Sequence, residues 1–208
     1  MNKLFVALAA LAASSTANAT TTISLGGPNV NWGNTHVFTS GGLTVTASGF
    51  TAANAATALY GKNGGGDEIG VGLANDPSHD NEIYYGMGYV QLDVSALFGL
   101  VSSVTFSTNS TTDGEQWSIF GSNVSGSYAG SALLTGTNES SATLPGFGSY
   151  RYYDFVSTST SGGKNFLIAG LTATAVPEPA TWAMMLLGFG LIGASVRYGR
   201  RKPASAFA

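Results

Sequence analysis

The sequence predicts an all-β protein, a single β-sandwich of jelly-roll or Greek-key type, followed by one apolar C-terminal helix. Three observations predict it. Short β-branched or aromatic runs recur between clusters of Gly, Ser, Thr and Asn, the composition of strands separated by turns. Charged residues make up only 9% of the chain, and no long helical periodicity interrupts the pattern. Leu43, Val45 and Ala47 alternate with Thr44, Thr46 and Ser48, and Val90, Leu92 and Val94 alternate with Tyr89, Gln91 and Asp93, so each run buries one face.

Taken in order, the chain opens with Lys3, an apolar run over residues 4–13 and the small-residue pattern Ala17-Asn18-Ala19. These are the three parts of a secretory signal peptide, with cleavage before Thr20. Residues 1–19 are therefore set apart, residues 20–175 are long enough for one domain with its own core, and residues 176–202 form a third segment. Within the domain, further strands are predicted at 21–25, 36–39, 82–85, 101–107, 116–121, 132–137, 150–157 and 165–175, about ten in all, with a loop at 52–58. A β-solenoid would need a repeat of fixed period, which the sequence lacks.

Residues 20–175 hold three basic and ten acidic residues, a net charge of −7. A nucleic-acid partner is excluded on charge. The chain has no cysteine, so stability rests on the core or on bound ions, and thiol catalysis and Cys-based zinc sites are excluded.

The most unusual stretch of the domain, GKNGGGDEIGVGLANDPSHDNEIYYG at residues 61–86, packs Asp67, Glu68, Asp76, Asp80 and Glu82 among glycines. Two readings compete: a long solvated loop in which Asp and Asn form turns, and a calcium site, since hard cations take six to eight oxygen ligands in irregular geometry. Paired carboxylates of a glycoside hydrolase are a third. Aromatic platforms for a sugar ligand would come from the many tyrosines and tryptophans, with Tyr84, Tyr150 and Tyr152 placed first; Trp117 is assigned to the interior. The histidines, His36 and His79, have no metal-binding context, and no nucleophile elbow or phosphate loop is present. No catalytic residue is assigned.

The C-terminal segment reads VPEPATWAMMLLGFGLIGASVRYGRRK. The 17 uncharged residues from Ala180 to Val196 would rise about 25 Å as a helix, enough to cross a thin bilayer. Trp182 stands at the outer end, and Arg197, Arg200, Arg201 and Lys202 form a basic inner end. Pro177 and Pro179 flank Glu178 and hold an extended, accessible peptide before the helix.

This arrangement resembles the PEP-CTERM sorting signal in its PEPxxWAMMLxGFG variant. The resemblance implies an exported protein of a Gram-negative bacterium, an inner-membrane intermediate held by the C-terminal helix, and processing by an exosortase membrane protease. It further implies delivery to the cell surface or an exopolysaccharide or biofilm matrix. The tail departs from the pattern in interrupting its basic run with Tyr198 and Gly199. Residues 61–123 also resemble a jelly-roll-like β domain often carried by PEP-CTERM proteins, and in style the carbohydrate-binding modules. The expected function is an interaction or structural role among extracellular polysaccharides, with a calcium-stabilised carbohydrate-binding module as the alternative and a glycoside hydrolase after it.

Overall fold

The computed structural model describes residues 19–74, 76–111, 114–128, 130–160, 165–176 and 179–199. The signal-peptide expectation on residues 1–18, Ala17 included, lies outside them, as do Pro177, Glu178, Arg200, Arg201 and Lys202. The β-rich body is Ala19–Ala175, and the segment from Val176 onward belongs to a separate unit.

Among the described residues the body holds two antiparallel sheets. The first runs β13 (Ser141–Thr143), β10 (Val101–Asn109), β15 (Asn165–Ala175), β7 (Ile69–Leu73), β6 (Leu59–Asn63) and β2 (Val30–Gly33), with β1 (Thr20–Ser24) and β8 (Ile83–Tyr84) also paired to β15. The second runs β12 (Leu134–Thr137), β11 (Gln116–Ser122), β14 (Tyr152–Ser157), β9 (Gly88–Asp93), β4 (Leu43–Thr51) and β3 (Thr35–Ser40), with β5 (Ala56–Thr57) on β4. From β9 onward the chain passes repeatedly from one sheet to the other. A β-solenoid, whose coils stack strands in parallel, does not fit this antiparallel pairing.

Alternation sets which face is buried. In β4, Val45, Ala47 and Gly49 are buried while Thr44, Thr46, Ser48 and Phe50 are half-buried; in β14, Tyr153 and Phe155 turn to the core. The inward faces of both sheets meet in one apolar core. Phe106 of the first sheet touches Trp117 and Phe155 of the second edge-on, at ring separations of 5.3 and 5.4 Å, the offset geometry that aromatic quadrupoles favour. The polar ends of the buried rings are satisfied: Trp117 Nε1 donates to the Asn138 carbonyl at 3.1 Å and the Tyr153 hydroxyl to the Pro145 carbonyl at 3.0 Å.

β15 is the shared seam of the first sheet. One edge pairs with β10, and the other meets β8, β7 and β1 in turn. Thr20, the expected first residue of the mature chain, pairs with Thr174, and the Ala175 N–H donates to the Ala19 carbonyl at 2.8 Å. The two ends of the body thus lie side by side.

The structure corrects the strand count. Strands β2, β5, β6, β7 and β13 fall where the sequence pattern predicts none, and residues 61–86 are not one solvated loop but the end of β6, β7 and β8 with two short connections. The glycines that hid β7 are there because neighbours press on it. A Cβ on Gly70 would stand 2.7 Å from the Ile168 carbonyl oxygen, and one on Gly72 would stand 2.2 Å from that of Asn81. Gly72→Ala is expected to push the Asn81–Glu82 backbone away and to cost about 1–3 kcal/mol as an overpacking change, seen as a lower urea midpoint at unchanged slope.

The C-terminal helix, α1, spans Pro179–Gly199, 21 residues. Its side chains from Met185 to Arg197 are exposed, Leu191 by 71%. Among the described residues no helix is long and apolar enough to cross a membrane. The transmembrane expectation on residues 180–196 thus finds no support among the described residues, and the side chains of residues 180–184, on which it also relied, lie outside them.

Candidate functional site

Two places in the body concentrate polar or aromatic groups: a lysine-centred cluster beside β6 and β7, and the outer face of the second sheet.

The first absorbs the acid-rich stretch. The β6–β7 hairpin closes through the Gly64 N–H to the Glu68 carbonyl at 2.8 Å, with Gly65 and Gly66 at positive φ. Between β7 and β8, Asp76 acts as a local cap, accepting from the Ser78 N–H at 2.9 Å, the Ser78 hydroxyl at 2.6 Å and the Glu82 N–H at 3.3 Å. That cap delivers Glu82 across Gly72 into the interior, where it is 2% exposed.

There Lys62 Nζ ion-pairs with both Glu68 and Glu82. The Ser110 hydroxyl lies 2.7 Å from Glu68 Oε1 and 2.8 Å from Glu82 Oε1. A hydroxyl has one proton to donate, so the second of these contacts needs a proton on one carboxyl. Burial assigns that proton to Glu82, whose pKa it pushes up to about 7 against the pull of Lys62 and Ser110. Burial works to raise Glu68 as well, but Lys62 and Ser110 outweigh it and hold this carboxyl below its ordinary value. For Lys62 burial opposes the charge, and the two glutamates more than restore it.

The five expected calcium ligands therefore do not converge. Glu68 and Glu82 meet, with Lys62 between them; Asp76 is spent on its own loop; Asp67 and Asp80 are exposed. Among the described residues no group of three or more His, Asp or Glu side chains is arranged to hold a metal. The physical reason is that β6 supplies an ammonium where the calcium reading required an ion.

The second place arises from register. On the outer face of the second sheet, Phe120, Asp154, Gln91 and Ser48 stand opposite one another across β11, β14, β9 and β4. The segment over residues 122–128 folds over this row. The Gly126 N–H donates to Gln91 Oε1 at 3.0 Å, and Gln91 Nε2 donates to Asp154 Oδ1 at 2.7 Å. Asp154 is wholly buried, and its Oδ2 has no hydrogen-bond partner. Burial pushes its pKa up to about 7, with Gln91 pulling only partly back.

Beside this row lies a cleft of about 260 Å³ lined chiefly by Tyr85, Tyr89, Phe120, Tyr128 and Val156, with Ser157 and Thr158. The Tyr128 ring meets Tyr89 edge-on at 4.8 Å and Phe120 at 4.9 Å, and Phe50 stacks on Tyr89 at 5.3 Å. The Tyr89 hydroxyl donates to Asn54 Oδ1 at 2.9 Å.

The tyrosines placed first by the sequence are elsewhere. Tyr84 is half-buried in β8 opposite Asn165. Tyr150 lies over Gly121, where a Cβ would come within 2.5 Å of its ring, and packs against Tyr153. Tyr152 carries the Arg151 guanidinium 4.9 Å above its ring. Trp32 is no open platform either, because Gly61 and Gly27 lie against its indole and His36 stacks on it at 4.0 Å. Tyr85, Tyr89 and Tyr128 belong to the broader aromatic set visible in the sequence. Phe120, Gln91 and Asp154 become site residues only through strand pairing, which has no local signal.

An antiparallel two-sheet body followed by a separate C-terminal helix has the layout of a carried domain joined to an addressing segment. Residues 175–202 match the PEP-CTERM protein-sorting motif, a signal that implies export, processing by an exosortase and a membrane-associated intermediate. No curated protein and no solved structure matches the chain.

Proposed function

We propose that this protein is a non-catalytic β-sandwich of the cell surface or the extracellular polysaccharide matrix, including biofilm matrix, which works by interaction after an exosortase has processed its C-terminal segment. The observation that carries the reading is the sorting motif at residues 175–202 following directly on a β body with an aromatic cleft on an outer sheet face. A body charge of −7 and a surface rich in hydroxyl and amide groups suit a hydrated glycan environment. A glycoside hydrolase reading draws little support from the cleft lining, which contains no carboxylate among the described residues, whereas such enzymes set two across the sugar.

Intact mass of the protein recovered from the native host tests the sorting. The expected wild-type species begins near Thr20 and ends near Pro179, and Pro177→Ala/Pro179→Ala abolishes or redirects that second end. A wild-type mass that still includes Trp182 to Lys202 would leave the domain on an unprocessed tail and defeat the proposal.

A further inference from the structure

We propose that the cleft on the outer face of the second sheet binds one uncharged pyranose ring of a polysaccharide, an inference that rests on the reading of this protein as a matrix interaction protein. The lining has the two kinds of group such a ring requires. Phe120, Tyr128 and the exposed Tyr85 offer aromatic surface for the C–H faces of a sugar, with the fully buried Tyr89 backing them, and Tyr85, Tyr128 and Thr158 bring hydroxyl-bearing side chains to the same lining for its O–H groups. A volume of about 260 Å³ is below the range typical of drug-sized ligands and suits one ring rather than a folded peptide segment.

The site is outside the core. Tyr89, Phe120 and Val156 point away from the inter-sheet face, and Tyr85 and Met87 at the neighbouring turn are 41% and 40% exposed. Both walls are also fixed in advance, which lowers the ordering cost of binding. One is the 84–88 turn, closed by the Met87 N–H to the Tyr84 carbonyl at 3.2 Å, with Gly86 at φ +72° and the Ala52 N–H donating to the Met87 carbonyl at 3.0 Å. The other is the segment over residues 122–128, pinned through Gly126 to Gln91.

Charge selects the class of sugar. No ionisable side chain other than tyrosine lines the cleft among the described residues, and the body around it carries −7. Uronic-acid or phosphorylated chains would meet repulsion and no cation to pair with. A neutral hexose chain meets neither obstacle.

The test is affinity electrophoresis of the full chain in native gels containing dextran, a galactomannan or a soluble β-glucan, with alginate as the anionic comparison. The expected result is retardation by at least one neutral polysaccharide and none by alginate. Tyr85→Ala, at an exposed position, and Tyr128→Ala should each weaken that retention about tenfold or more with the melting temperature of Tyr85→Ala unchanged. Retardation by alginate alone, absence of retardation by all three neutral chains, or retention indifferent to Tyr85→Ala would each overturn the assignment. The parent reading fails separately: a processed surface protein that ignores all three polysaccharides sinks only the sugar site, while an unprocessed tail in the mass measurement sinks the matrix reading whatever the gels show.

Discussion

Lys62→Met is expected to cost the body about 3–5 kcal/mol at pH 8, the penalty for leaving a buried carboxylate without its cation. Stability of such domains totals only about 5–15 kcal/mol, so the variant should unfold at a much lower urea concentration. The penalty depends on which glutamate is stranded. The Glu82 side chain is 3% exposed and that of Glu68 is 41% exposed, so Glu68 falls back on water while Glu82 does not. Glu68→Gln should therefore change stability by less than about 1 kcal/mol. Without Lys62 the pKa of Glu82, already raised to about 7 by burial, rises further, so the carboxyl keeps its proton to higher pH and is neutral at pH 5. The cost of Lys62→Met should accordingly shrink at pH 5. Adding Glu82→Gln to Lys62→Met should recover much of the loss at pH 8, because no buried charge remains. A Lys62→Met penalty under 1 kcal/mol at pH 8, equal to that at pH 5, would show that water reaches Glu82 and that the cluster is not desolvated.

The sequence made strands legible where side chains alternate, as in β4, β9 and β14, because burial of one face leaves a period of two in the chain itself. It failed where glycine replaced the side chains. Gly70 and Gly72 carry no hydrophobic signal, and their reason for being in β7, the carbonyls of Ile168 and Asn81 pressing close, comes from segments far off in sequence or beyond a loop. The same limit governs the site. The acidic run at residues 67–82 was visible as chemistry, but Lys62 and Ser110 decide what it does, and Ser110 arrives from the end of β10, 28 residues from Glu82. Asp154 and Tyr152 share a strand face as alternation requires. That the one is sealed under a loop and the other faces Arg151 follows from which strands flank β14. The sorting motif at residues 175–202 was legible because it is contiguous in the chain.

Between pH 5 and pH 8 the body should lose about 2–3 kcal/mol of stability through Asp154 alone. The folded-state pKa of this carboxyl is about 7 against an ordinary 3.8, a displacement worth roughly 4 kcal/mol in total. For an acid whose pKa is raised on folding, the folded chain keeps a proton that the unfolded chain has released. The contribution is thus fully present below about 3.8, falls as pH rises through that value, and is gone above about 7. Glu82 acts in the same direction over a similar window, so the clean quantity is the difference between wild type and Asp154→Asn. The asparagine side chain retains an oxygen to accept from Gln91 and has no charge to bury. Relative to wild type it should gain about 2–3 kcal/mol on going from pH 5 to pH 8, in urea unfolding at each pH. The other charged pair on this face, Arg151 with Asp93, sits one register row away and is solvent-exposed on the arginine side, too screened to hold Asp154 ionised. Ionisation should also show locally. A carboxylate formed beneath the 122–128 segment is stabilised when local opening lets water reach it, which frees the Gly126 N–H held through Gln91, so exchange of that amide, corrected for its intrinsic pH dependence, should speed up above pH 7 in wild type and not in Asp154→Asn. Equal pH profiles for the two proteins would mean that the Asp154 carboxyl is hydrated in solution and the loop does not seal it.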